Sequence, residues 1–78
     1  MTHDAHHDHL IRMANQIGIF FESMPDQQEA LEGIAQHLKK FWDPRMRRAL
    51  LARVDGPDSQ HIREIVLLAL RTHRDAIL

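Results

Sequence analysis

A chain of 78 residues with a net charge of −1 has room for one small domain and a modest core. It has no cysteine, which excludes disulfides, thiolate metal sites and an iron–sulfur cluster held by its own thiolates. The longest apolar run, Ile65 to Leu70, is far short of the roughly 20 residues of a membrane span. No basic–apolar–small leader pattern opens the chain, and the composition predicts a soluble intracellular protein.

In chain order, "MTHDAHHD" at 1–8 is polar and aperiodic. It predicts a flexible His-rich tail ahead of a helical domain over 9–78. Apolar residues then recur at steps of three and four: Leu10, Met13, Ala14, Ile17, Phe20, Phe21 and Met24. That period predicts a helix near 9–24, stopped by Pro25. Asp26 with Glu29 three residues on is a capping-box variant, so a second helix is expected near 26–42. Its stripe is Ala30, Leu31, Ile34, Ala35, Leu38, Phe41 and Trp42.

Asp43 suits an N-cap and Pro44 the first helical position. They predict a third helix over 44–54, with Met46, Ala49, Leu50 and Val54 inward. "DGPDS" at 55–59 is a turn cluster. A fourth helix near 59–74 follows, with Ile62, Ile65, Val66, Ala69, Leu70 and Ile77 on one face. No alternating strand pattern competes. The expected fold is all-α, a small single domain of four short helices packed as a hairpin bundle. Phe20, Phe21, Ile34, Leu38 and Phe41 are its expected centre. Gly18 and Gly33 fall inside helices, as points where the first and second helices approach closely or as tolerated glycines. Ile19, Leu51, Leu67 and Leu68 fall off the stripes and are candidates for a partner-binding surface.

The small net charge hides an asymmetry. Residues 1–38 carry one Arg against six acids, −5, whereas residues 39–53 carry six basic residues against Asp43, +5. The basic centre includes "KKFWDPRMRR" at 39–48. Arg45, Arg47 and Arg48 lie in the first turns of the third helix, where the helix dipole disfavours cations. Local rules are often broken at functional positions, and Trp and Arg dominate interface energetics. Trp42, Arg45, Met46, Arg47 and Arg48 are therefore the candidate partner-binding residues, with Ile19 and Leu68 as apolar outliers. The competing expectation is that the arginines pair internally with Glu22, Glu29 or Glu32.

"MANQIGIFF" at 13–21, "MP" at 24–25 and "HLKKFWDPRMRRAL" at 37–50 closely resemble the delta subunit of bacterial NAD-dependent formate dehydrogenases. The resemblance covers residues 10–53. The fourth helix shares with that family little beyond its apolar character. The resemblance implies a noncatalytic small subunit, or an assembly or stabilising partner, of a soluble cytoplasmic complex. The large catalytic subunit, its partner, belongs to a complex holding a molybdenum or tungsten pterin, iron–sulfur clusters and flavin. The chain itself is expected to bring no cofactor, no metal and no catalytic residue, and to bind neither nucleic acid nor membrane. It carries no nucleophile–base set and no Gly-rich phosphate loop.

Two other roles compete. The helix–turn–helix look of 30–54 suggests DNA binding, with Arg45, Arg47 and Arg48 on the phosphates; the acidic flanks oppose it. His3, His6, His7 and His9, with Asp4 and Asp8, suggest a metal-handling tail, against the ordering entropy such a site costs. His37, His61 and His73 are expected as ordinary surface or half-buried histidines.

Overall fold

The first helix, α1, runs from Ala5 to Glu22, followed by α2 over Gln27–Phe41 and α3 over Pro44–Ala52. A 3-10 turn at Pro57–His61 leads into α4, Glu64–Thr72, and a last short helix α5, Arg74–Ile77. This computed structural model describes the backbone from residue 5 and the side chains from residue 9. The expected tail at 1–8 thus lies outside the described side chains, and residues 1–4 lie outside the described chain. No β-strand forms among the described residues, and the all-α expectation holds.

Local chemistry sets two helix starts as expected. The Asp26 carboxylate accepts from the Glu29 N–H at 3.2 Å, and the Asp43 carboxylate from the Arg45 N–H at 2.8 Å, with Pro44 opening α3. The fourth helix departs from expectation. Instead of one helix over 59–74, the segment makes the 3-10 turn, then extended backbone at Ile62 and Arg63, then α4. The cause is tertiary. Asn15 on α1 donates to the His61 carbonyl at 2.9 Å and accepts from the Arg63 N–H at 2.8 Å. One side chain thus bonds both sides of the break and satisfies the N–H of Arg63, the N-cap residue of α4, which makes no side-chain cap of its own.

Helix α2 is the hub, packed against α1, α3, α4 and α5. Its Ile34 and Leu38 are wholly buried, among Leu50 and Leu51 of α3, Val66 and Leu70 of α4 and Ile77 of α5. Two glycines permit the close packing. The Phe21 ring lies directly over Gly33 of α2, in space a β-carbon would occupy. A β-carbon on Gly18 would stand 2.6 Å from Val66 Cγ2 on α4. Both glycines therefore mark close approach, but only Gly33 joins α1 to α2; Gly18 admits α4.

Three core assignments are corrected. Phe20 and Phe41, expected at the centre, are 70% and 68% exposed. With Gly18 turned to α4 and Phe21 seated on Gly33, the neighbouring Phe20 points outward. Phe41 is the last residue of α2; the chain leaves the helix there, and extended Trp42 takes the core position instead. Leu51, expected off the α3 stripe, is buried, because this short helix is covered by both α1 and α2.

Leu38→Ala is expected to cost about 2–5 kcal/mol, whereas Phe20→Ala should stay within about 0.5 kcal/mol of the parent, both read from urea unfolding. Gly18→Ala should destabilise the domain despite alanine's better helix propensity, because buried, β-branched Val66 has little room to yield. Unchanged unfolding midpoints for Leu38→Ala or Gly18→Ala would contradict this packing.

Candidate functional site

The stretch from Lys39 to Arg48 divides into an inner and an outer set. Trp42 is 6% exposed and belongs to the core cluster. Arg47 is 8% exposed. Its Nη1 donates to the Lys39 and Trp42 carbonyls at 3.1 and 2.8 Å, and its Nη2 makes a longer 3.5 Å bond to the Leu78 carbonyl. Lys39 and Trp42 lie at the C-terminal end of α2, whose last carbonyls have no partner within the helix. Arg47 is thus misplaced only with respect to its own helix. It sits at the negative end of the preceding helix, where a cation is favoured.

Burial and these bonds remove Trp42 and Arg47 from the exposed patch expected of them. Neither the internal pairing with Glu22, Glu29 or Glu32 nor a direct contact with a phosphate backbone describes Arg47. Arg45 and Arg48 face outward, with Met46 half-buried between them in sequence. Among the described residues neither arginine has an ion-pair partner. Of the apolar outliers, Ile19 and Leu68 are exposed and Leu67 is half-buried.

A feature that periodicity missed lies between α1 and α2. Met13, Ile17, Phe20, Phe21, His37 and Trp42 line a groove of about 540 Å³, with Gln16 as its other polar side chain. Phe20 is braced edge-on by Phe21, ring centroids 5.0 Å apart. Phe41 leans back one helical turn against His37, 4.9 Å between ring centres, as helical side chains do. The Lys40 ammonium lies 5.9 Å from the Phe41 ring centre. Both exposed rings are thus held in place without being covered. Helical phase assigned them to the core; no local signal shows which side a neighbouring helix leaves open.

Asn15 was equally unforeseen, since a polar residue in a helical stripe reads as solvent-facing until the distant segment it bonds is known. Glu22 pairs with Arg63 rather than with the central arginines. The guanidinium makes two bonds of 2.8 Å to the carboxylate. That hydrogen bonding, aided by the guanidinium's charge, holds the Glu22 carboxyl below its ordinary 4.5 and raises Arg63 in turn. Among the described residues no group of three or more His, Asp or Glu is placed to hold a metal ion. His3, Asp4, His6, His7 and Asp8 lie outside the described side chains. No described helix is long and apolar enough to cross a membrane.

A family model for the delta subunit of NADH-dependent formate dehydrogenase, FdsD, matches residues 9–70. No curated protein and no solved structure matches the chain.

Arg47→Ala leaves carbonyls at the end of α2 without their donor and should cost about 1–3 kcal/mol. Arg47→Lys should recover only part of this, because an ammonium cannot reproduce the planar fork; both are read by thermal unfolding. For Glu22 the folded pKa is depressed, so its contribution is present above 4.5 and is lost as pH falls through the depressed value. Parent protein should therefore lose more stability on acidification through that range than Glu22→Gln. Parallel pH profiles of the two unfolding midpoints would remove the pair from the stability balance.

Proposed function

The chain belongs to the FdsD family, the delta subunits of NADH-dependent formate dehydrogenase, and from this we propose that it is a noncatalytic small subunit of such a complex. Its partner is the large catalytic subunit, which it stabilises or helps assemble, in the cytoplasm. Formate oxidation and the cofactors for it reside in the other subunits. The lack of any thiol accords with this division, since a protein-held iron–sulfur cluster needs cysteine ligands.

The observation that carries the contact proposal is the pair Arg45 and Arg48, exposed on α3 in the basic centre and without an ion pair among the described residues. Arginine forks suit carboxylates on a partner, and half-buried Met46 supplies adaptable apolar surface beside them. Trp42 and Arg47 serve this surface indirectly, by fixing the turn from which α3 departs. Ile19 and Leu68 are candidate apolar contacts of the same or a second patch.

The test is the double substitution Arg45→Glu with Arg48→Glu, leaving Arg47 in place. Both sites are exposed, so helical circular dichroism and the unfolding midpoint should change little. Co-purification with the catalytic subunit should be lost, because reversed charge at an interface costs several kcal/mol. Undiminished co-purification of the folded double variant would place the contact elsewhere.

A further inference from the structure

We propose that the α1–α2 groove receives one amphipathic helix of the partner subunit, with apolar anchors toward Phe20 and Phe41 and acidic residues toward the Lys40 side. The inference rests on the subunit reading above and specifies what that subunit presents.

Exposure is the first ground. Phe20 and Phe41 are 70% and 68% exposed, more than any other large apolar side chain among the described residues. Large apolar surfaces left open in this way mark binding sites. The second ground is preorganisation. Phe20 is braced by Phe21 and Phe41 by His37, so little side-chain freedom remains to be lost on binding.

Shape points to a helix. The groove follows α1 from Met13 to Phe21, eight residues or about 12 Å along the axis. That length matches about two turns of a docked helix, presenting anchors at i, i+3 or i+4, and i+7. A third helix laid between two packed helices is also the simplest way to cover both exposed rings.

Charge selects the chemistry of the occupant. Among the described residues no acidic side chain lines the groove. Outside the lining itself, Phe41 packs on the groove residue His37 with the Lys40 ammonium over its ring, and exposed Arg12 lies one turn before Gln16 on α1. A helix carrying Asp or Glu beside its apolar stripe complements the border.

The experiment uses the full chain co-expressed with the other formate dehydrogenase subunits. A photo-reactive benzoylphenylalanine replaces Phe20 or Phe41, and cross-linked peptides are identified by mass spectrometry. The expected product joins this chain to a segment of the catalytic subunit with apolar residues three and four apart and acidic neighbours. Phe20→Ala with Phe41→Ala should weaken the complex on the order of thirtyfold, the effect of losing a hot spot, while the isolated domain keeps its unfolding midpoint. Lys40→Glu should weaken it further.

Cross-links between two copies of this chain would overturn the proposal, as would cross-links to a partner segment without acidic residues. An undiminished affinity of the double Phe variant would do the same while leaving the subunit reading intact. If the folded parent chain fails to co-purify with any subunit, the subunit reading falls and the groove assignment falls with it. A Phe variant with a lowered unfolding midpoint is judged by the cross-linking result and by Lys40→Glu, neither of which removes a packed side chain.

Discussion

The C-terminal end of α2 is the constraint on which the rest of the domain turns. A helix that contacts four others cannot leave its last carbonyls unsatisfied near the core without cost. Arg47 reaches back from α3 to the Lys39 and Trp42 carbonyls and on to Leu78. One guanidinium thereby ties the hub helix, the turn after it and the end of the described chain. Trp42 fills the core at the same corner. The placement of α3, and of whatever α3 displays outward, follows from that corner.

The opposite side of the hub is organised by small residues. Gly33 lets the Phe21 ring settle on α2, and Gly18 lets α4 approach α1. Asn15 then fixes the start of α4 by bonding on both sides of the break at Ile62. Once Gly18 and Phe21 face their partners, helical geometry leaves Phe20 outside. The exposed aromatic edge of the groove is a consequence of how tightly the other side packs. Buried close contacts and an open apolar surface are two results of one helix rotation.

This bears on what the motifs of the sequence mean. Within "MANQIGIFF", Asn15, Gly18 and Phe21 serve folding, while Ile19 and Phe20 face outward. Within "FWDPRMRR", Trp42, Asp43 and Arg47 serve folding, while Phe41, Arg45 and Arg48 face outward. The strings that carry the family resemblance thus alternate between holding the domain together and forming its surface. A short chain with a modest core has few residues to spare, so neighbours in sequence divide the two tasks.

Helical class, three of the helix positions and the Asp26 and Asp43 caps were legible in the sequence, because periodicity, capping and proline punctuation act within a few residues. The buried roles of Ile34, Leu38, Leu50, Val66 and Leu70 were legible for the same reason. The basic centre and the exposure of Arg45, Arg48, Ile19 and Leu68 could also be anticipated. The burial of Arg47 and Leu51, the exposure of Phe20 and Phe41, and the break before α4 were decided by tertiary structure. Each depends on groups far along the chain or on which helix covers which side: Leu78 bonds Arg47, and Asn15 bonds a segment 48 residues away. A hydrophobic stripe specifies that one face of a helix is to be buried. It does not specify how far the covering helices extend, and at the edge of that cover a phenylalanine in phase with the core remains in solvent.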